Sequence, residues 1–342
     1  MEISELRTGE EDAWDSYVYE SDESTFYHQI GWRDVVLKTY GHKPRYLVAR
    51  GDDGGIVGVL PMFLMESRIF GRKLVSVPFA PYGGVCADDA GVGRALMEEG
   101  KRVAKEERVD YFEIRQFAMS DSGLVTNEAY VTSILTLDRN PEVVRGAFRK
   151  SMRRYIRKAA QHNFQVNMVS KDTKEFYGTY SQSMRKLGTP AHGPAFFRNM
   201  LLEFPEDINI ATIEYDREVI STMLLLYFKN TAIYGWGASL NEYLKLSPNY
   251  LLFWDAIKDS CEKGFTFFDF GRSQPNTGVF LFKEGWGAES KQLYYQYYLH
   301  NAKSVPDTGQ SNPIRQRFAR IWCKLPALLT NKIGHVLRRN LP

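Results

Sequence analysis

The clearest hydrophobic pattern in the chain lies at residues 264–286, GFTFFDFGRSQPNTGVFLFKEGW. Its first third is dominated by aromatic and β-branched residues, which is typical of a strand buried on both faces. Turn-forming residues follow, and a second apolar run at 279–282 predicts another strand. The two strands would bring a carboxylate (Asp269), a guanidinium (Arg272) and an ammonium group (Lys283) to one rim of a sheet.

Charges at the edge of an apolar sheet are costly unless they are paired or used in function. We therefore interpret Asp269, Arg272 and Lys283 as the center of a functional site. The alternative is purely structural, with Asp269 and Arg272 paired only with each other and Lys283 lying on the surface.

The rest of the chain alternates helices and strands in two similar series. In the first half, the pattern predicts helices at 10–19, 28–40 and 93–106, and strands at 1–7, 46–50, 56–64, 74–78, 111–115 and 130–137. In the second half, it predicts helices at 141–162, 174–187, 195–202 and 248–263, and strands at 165–169, 208–215, 219–228, 231–236 and 292–299. Both series contain two helices, a hairpin, a strand, a helix and a strand. This order predicts two similar α/β modules, 1–142 and 143–303, with the site in the second module and a separate tail at 304–342.

The tail combines a polar linker at 307–312 with two amphipathic patterns. Its apolar stripes have helical spacing, and most of the basic residues lie off them. The stripes consist of Phe318, Ile321, Trp322 and Leu325, then Leu329, Ile333, Val336 and Leu337. Basic helices that carry Trp and Phe suit an anionic membrane surface. Alternatively, the stripes pack on the body of the protein itself.

Bulk composition narrows the class of protein. The 342 residues suffice for two domains. The three cysteines show neither a disulfide framework nor metal-ligand spacing, so we expect no metal and a reducing compartment. The acidic N-terminus does not resemble a signal peptide, and no apolar run is long enough to span a bilayer. These features predict a cytoplasmic protein, with peripheral attachment to the inner face of the membrane if the tail binds lipid.

The net charge of +3 hides an uneven distribution. Segments 145–162 and 313–342 each hold seven Lys or Arg residues and no acidic residue. The rest of the chain is therefore acidic, with two basic elements attached. This arrangement predicts two separate anionic partners.

Several segments together resemble a known family. In the first half these are FHQIGWRDVVLKTYG, GGIVGVLPMFLMESRIFGRKLVSVPFAPYGG and YFEIRQF. In the second half they are RKSMRRYIRKA, RKLGTPAHGPAFF, SPNYLLFWDAIKDSCEKGFTFFDFGRSQPNTGVFLFKEGWGAE and LYYQYYL. The sequence resembles the Fem-type aminoacyltransferases, most of all the FemAB-like proteins found near exopolysaccharide and PEP-CTERM/exosortase systems.

This resemblance implies a tandem GNAT-like fold of mixed, mostly antiparallel sheets flanked by helices. It also implies transfer of an acyl group, from aminoacyl-tRNA in the best-known members, to an amine of a cell-envelope precursor. The Phe-Lys pair at the family's reaction center corresponds to Phe282 and Lys283, and its basic helix corresponds to RYIRKA at 154–159. The coiled-coil arm that the peptidoglycan enzymes can carry is absent here, which leaves the donor and the acceptor open.

From these observations we assign candidate roles. The catalytic candidates are Lys283, to stabilize developing negative charge, Asp269, to orient the amine or accept its proton, and Phe282. The substrate-binding candidates are Arg272, Tyr82, Arg115, Asn249, Trp286 and His28, although His28 also fits a hydrogen-bonded core histidine. The phosphate- or tRNA-binding candidates are Arg149, Arg153, Arg154, Arg157 and Lys158, and the alternative for this helix is a solvated charged face. No cofactor is expected beyond the donor itself.

Two other functions remain open. The first is an acyl-CoA-dependent N-acyltransferase on the same fold, because AGVGRAL at 90–96 has a Gly-x-Gly spacing that opens a helix. The helix at 248 begins with SPNY and has no glycine there, which argues against CoA in the second module. The second alternative is a non-catalytic scaffold tethered to the membrane by the tail. No Ser/His/Asp triad, Walker loop or Gly-x-Gly-x-x-Gly following a strand indicates a hydrolase, kinase or dehydrogenase.

Overall fold

The computed structural model describes residues 1–67, 70–119, 123–306 and 312–341. The chain forms two compact units. Unit 1 contains Met1–Tyr130, Gln292–Asp307 and Arg339–Pro342, and unit 2 contains Val131–Lys291 and Thr308–Arg338. The predicted boundaries at 142 and 303 follow chain order, whereas each compact unit takes in a strand segment from beyond its own half of the chain.

The first half contains the elements β1 (Glu2–Glu5), α1 (Glu11–Glu20), α2 (Ile30–Tyr40), β2 (Lys43–Pro44), β3 (Leu47–Arg50), β4 (Ile56–Leu60), β5 (Phe63–Ser67), β6 (Gly71–Ser76), β7 (Cys86–Ala87), α3 (Ala90–Glu106), β8 (Tyr111–Gln116) and β9 (Val125–Thr136). The second half contains α4 (Pro141–Ala147), α5 (Lys150–Ala159), β10 (Gln165–Ser170), α6 (Thr173–Lys186), α7 (Pro194–Glu203), β11 (Ile208–Tyr215), β12 (Glu218–Phe228), β13 (Thr231–Ser239), α8 (Pro248–Glu262), β14 (Phe267–Ser273), α9 (Gly278–Gly285), β15 (Glu289–Leu299), α10 (Pro313–Trp322) and α11 (Ala327–Arg338).

Unit 1 contains two sets of paired strands. One has the order β1-β3-β4-β7, and the other has the order β15-β8-β6-β5-β2, in which β6 and β8 are parallel. Helix α3 covers this unit's core, and Asp89 caps its start by accepting hydrogen bonds from the Gly91 and Val92 amides. The Gly-x-Gly of this segment thus belongs to a conventionally capped helix.

Unit 2 has the strand order β10-β11-β12-β13-β14-β9, in which β13 and β14 are parallel. Its closing strand is residues 131–136 of β9, which precede all the other strands of the unit in the sequence. Helix α8 packs on this sheet over an aromatic core that includes Phe148, Trp254 and Trp286. Phe267, Phe268 and Phe270 thus lie in strand β14, as predicted, and the last two are buried.

Three predicted elements are wrong in type or extent. The strand predicted at 56–64 is two strands, β4 and β5, which are separated by Pro61 and Met62 and belong to different sheets. Residues 279–282 form part of helix α9 rather than a strand, and the Thr277 side chain caps this helix by accepting a hydrogen bond from the Phe280 amide. The single helix predicted at 141–162 is two helices, because Phe148 leaves the helical path to pack edge-on against Trp254 and Trp286. Helix α5 restarts after Arg149, whose amide donates to the Gly285 carbonyl.

The tail forms helices α10 and α11, as its pattern predicts, and residues 307–311 of the predicted linker lie outside the described residues. These helices contact the rest of unit 2, since Ala319 lies against Gly188 and Gly334 lies against the Ala191 backbone. Trp322 of the predicted stripe is buried, in agreement with part of the body-packing alternative. Other apolar residues of the same helices remain exposed. In the described part of the chain, no helix is both long and apolar enough to cross a membrane.

Candidate active site

Strands β13 and β14, the parallel pair of unit 2, are hydrogen-bonded over a short stretch and then diverge. Their pairing covers only Thr231↔Phe267 to Ile233↔Asp269, although both strands continue well beyond it. Beside this divergence lies a pocket of about 210 Å³ between β12, β13 and the start of α8. It is lined by Ser221, Thr222, Met223, Tyr234, Ala238, Ser239, Leu244, Asn249, Leu252 and Phe253. The lining has hydroxyl and amide groups but no charged side chain, so it suits a small neutral group.

Asp269 lies at the end of the paired part of β14 and is only 2% exposed. Its Oδ1 atom accepts a hydrogen bond of 2.6 Å from Thr132 Oγ1 on β9 and one of 2.7 Å from the Gly271 amide. Gly271 has a φ of 72°, a conformation that glycine adopts without the steric cost that a side chain brings. Asp269 therefore fixes the turn of backbone at 269–271.

Lys283 is held against that same turn. Its Nζ donates to the Gly271 carbonyl at 2.6 Å and to the Arg272 carbonyl at 3.0 Å, and the side chain is 4% exposed. Burial lowers its pKa to about 8, with Asp269 opposing this shift and Arg272 reinforcing it. An ammonium has three N–H donors, so one position on Nζ remains beyond these two bonds. That position carries a hydrogen below pH 8 and a lone pair above it.

Helix α9 reverses the usual burial pattern. Val279 and Leu281 are exposed, whereas Lys283 on the same short helix is buried. The structural alternative, in which Lys283 lies on the surface, is therefore wrong. Since an apolar helix normally hides its apolar residues, the reversal indicates that the position of Lys283 is the feature this helix provides.

The other candidates of unit 2 surround this pair in different ways. Phe282 contacts Tyr250 and Phe253, so it joins α9 to the pocket wall. Asn249 lines the pocket directly, and the Arg272 side chain is exposed. Trp286 was predicted to bind substrate, but it is fully buried in the aromatic core. Its location is that of a packing residue beneath the site.

Ser273 is a further residue of this region that the sequence pattern did not single out. Its hydroxyl is buried at the end of β14 and has no hydrogen-bond partner among the described residues. Thr132 was missed as well, because nothing in the sequence indicates that β9 pairs with β14. A polar residue at the end of a buried strand was the only signal for Ser273.

The predicted basic helix forms a positively charged surface of unit 2. A groove of about 590 Å³ is lined by Glu142, Arg145, Gly146, Lys150, Arg153 and Arg157. Glu142 pairs with Arg145, and Arg149 pairs with Glu284. Within the described residues, no ion pair involves Lys150, Arg153 or Arg157. These three cations are thus available to an anion.

Aromatic stacking connects this basic surface to the site. Arg154 lies over the ring of Tyr155, which stacks on Tyr250 at 4.5 Å between centroids. Tyr250 in turn contacts Phe282, next to Lys283. One hydrogen bond already occupies the Lys158 ammonium, whose Nζ donates to the Lys245 carbonyl just before the start of α8. The basic helix, α8 and α9 therefore meet around one aromatic cluster.

The candidates in unit 1 are interior residues. His28 bonds through Nε2 to the Gly84 carbonyl and through Nδ1 to Thr25, which is the structural alternative predicted for it. Tyr82 packs between Tyr27 and Phe117. Arg115 pairs with Glu113 at 2.7 Å, bonds to the Ala80 carbonyl and lies over Tyr295. All three are at most 3% exposed, so their location is that of supporting residues.

Comparison with known proteins bears on the fold more than on the reaction. Residues 146–284 match the family model of the acetyltransferase (GNAT) domain. The curated proteins contain no match to this chain. FemX superposes with a TM-score of 0.69 at 16% identity, covering 88% of this chain and 98% of its own.

Two further structures give the same picture. A tandem GNAT protein from the clavulanic acid biosynthesis pathway has a TM-score of 0.58 at 11% identity, covering 89% of this chain and 99% of its own. L-PGS from Bacillus licheniformis has a TM-score of 0.56 at 14% identity, covering 94% and 99%. The chain thus has a tandem GNAT-like fold, as predicted.

Proposed function

We propose that this chain is a Fem-like N-acyltransferase that forms an amide bond on an amine of a cell-envelope acceptor, with aminoacyl-tRNA as donor. The observation that carries this proposal is the Lys283 ammonium, which the Gly271 and Arg272 carbonyls hold where strands β13 and β14 diverge. Gly271 lies against the backbone of Tyr234, which lines the small neutral pocket. The likeness to FemX and to a tandem GNAT protein supports the fold on which such chemistry occurs.

In this reaction the acceptor nitrogen attacks the acyl carbonyl carbon of the donor. The new C–N bond forms, the ester C–O bond to the ribose breaks, and the proton lost by the amine ends on the leaving oxygen. Lys283 supplies positive charge to the carbonyl oxygen as it becomes an oxyanion. Asp269 acts as a positioning residue, because it fixes the turn whose carbonyls hold Lys283.

The choice of tRNA over CoA follows from the two places that could hold phosphate. Helix α8 begins with Ser247 at a φ of 65° and Pro248, which has no amide hydrogen to offer a pyrophosphate. The groove on α4 and α5 instead offers several cations along a surface. A polyanion larger than a pyrophosphate suits this distribution of charge. The acyl group itself would occupy the small neutral pocket.

Acyl-CoA remains the competing donor, because the matching family model describes an acetyltransferase domain. The full-length chain is incubated with an amine-containing envelope extract and either radioactive aminoacyl-tRNA or radioactive acetyl-CoA. We expect amide product from the aminoacyl-tRNA alone, and loss of that product in Lys283→Met. Labeling from acetyl-CoA alone would favor the competing donor, and no labeling from either would contradict the transferase assignment.

A further inference from the structure

Helices α10 and α11 keep an exposed apolar face although they pack on unit 2. Ile314 is 81% exposed and Leu328 is 88% exposed, and Ile321, Leu329 and Val336 are exposed as well. The packed side uses other residues, namely Trp322, Thr330 and Gly334. Body packing therefore explains only one side of each helix.

The arrangement around α10 is that of an interfacial helix. At about 100° per residue, Ile314, Phe318 and Ile321 share one face. The buried Trp322 lies on one side of this face, and Arg317, Arg320 and Lys324 lie on the other. On α11, Leu328, Leu329, Lys332 and Val336 share the face opposite Thr330 and Gly334. Each helix thus presents apolar side chains next to cations.

All charged side chains of the segment 313–342 are basic. Residues 313–342 contain seven Lys or Arg residues and no acidic residue, whereas the chain outside the two basic segments is acidic. Juxtaposed cations and apolar side chains are the features that bind a helix to an anionic bilayer surface. Nucleic acid would use the cations, but phosphates offer nothing to exposed Ile and Leu side chains.

We propose that the α10–α11 face is a docking site for an anionic lipid bilayer, on which the protein lies peripherally. Ile314, Phe318, Ile321 and Leu328 enter the interfacial region, while Arg317, Arg320 and Lys324 contact lipid phosphates. Ala319 and Gly334, which lie against Gly188 and Ala191, hold the helices on the rest of unit 2 in this state. This site goes beyond the acyl-transfer chemistry and does not depend on it.

Flotation of the full-length protein with vesicles tests this proposal. One vesicle is phosphatidylcholine, and the other contains about one-third phosphatidylglycerol, which supplies the negative surface. We expect binding to the anionic vesicle only. Arg317→Gln/Arg320→Gln/Lys324→Gln should lower the partition coefficient about a hundredfold, since each cation near such a surface contributes about fivefold.

The apolar contribution is tested separately. Ile314→Ser/Ile321→Ser/Leu328→Ser changes exposed positions only, and should also lower anionic-vesicle binding at least tenfold. The matched control is Leu187→Ser/Leu202→Ser, which removes exposed leucines elsewhere in unit 2 and should bind like the wild type. Binding that survives the serine variant, or is equally lost in the control, would overturn the proposal. So would tRNA binding that depends on the tail cations in place of vesicle binding.

Discussion

The lowered pKa of Lys283 predicts a specific dependence of stability on pH. The unfolded side chain titrates near 10.5 and the folded one near 8. Between these values the unfolded chain holds a proton that the folded chain has released, so the free energy of unfolding rises with pH. At 1.36 kcal/mol per pKa unit, the full gain is about 3 kcal/mol. It is complete above pH 10.5 and absent below the folded pKa.

The perturbation is Lys283→Met, which keeps the length of the side chain and removes its charge. Chemical denaturation of wild type and variant across pH 6–10.5 gives the difference in unfolding free energy at each pH. We expect the wild type to gain about 3 kcal/mol relative to the variant between pH 8 and 10.5. If the variant does not fold, Lys283→Gln replaces it, because glutamine is also uncharged and keeps N–H donors at this position.

Lys73 provides a matched control in unit 1. It is buried, donates to the Asn340 carbonyl at 2.8 Å, and burial lowers its pKa to about 8 as well. Lys73→Met should therefore show the same rise in stability difference but leave acyl transfer unchanged. Lys283→Met should lower kcat/KM by 10²–10³, about 3–4 kcal/mol, and wild-type kcat/KM should fall as pH rises through 8. A flat stability difference for Lys283, or normal turnover in its variant, would refute the reasoning.

Three further predictions concern the surroundings of Lys283. Asp269→Asn removes the charge that raises the pKa of Lys283, so the pH at which kcat/KM falls should move below 8, and an unchanged pH profile would contradict the contact. Arg153→Gln/Arg157→Gln should weaken tRNA binding and lower the slope of log affinity against log salt by about 2, whereas the exposed control Lys174→Gln/Lys258→Gln should not. Ala238→Phe should slow transfer of larger acyl groups more than that of small ones, because it fills a pocket of about 210 Å³; equal slowing of all donors would place the acyl group elsewhere.

The elements around the candidate site were predicted correctly only where the local sequence pattern and the observed burial agree. Alternating aromatic residues made β14 recognizable, and with it the position of Asp269 at the end of a buried strand. The same assumption failed for α9, since Val279 and Leu281 are exposed and Lys283 is buried. Predicting burial from the pattern of apolar and polar positions assumes that the apolar side chains are the buried ones. Helix α9 does not meet this assumption.

Most of the remaining differences between the predicted and the observed structure result from contacts between residues far apart in the sequence. Thr132 reaches Asp269 because β9 pairs with β14, 130 or more positions later in the chain, and no local signal encodes that register. The break between α4 and α5 depends on the contact of Phe148 with Trp254 and Trp286, which are also distant in sequence. The motif residues His28 and Arg115 looked functional because polar residues stood out among apolar ones, yet buried hydrogen bonds account for both.

The two units contain the same strand with different chemistry at its end. In unit 1, β8 reads YFEIRQ and is parallel to β6, and in unit 2, β14 reads FFDFGRS and is parallel to β13. The acid is Glu113 in one and Asp269 in the other. Two residues later stands Arg115, which closes a buried ion pair with Glu113. Its counterpart is Gly271, whose carbonyl instead holds Lys283 from a following helix. Glu113 is thus paired within its own strand, whereas in unit 2 the glycine at the corresponding position leaves a backbone carbonyl that holds Lys283. This difference is the physical reason for placing the proposed chemistry in unit 2.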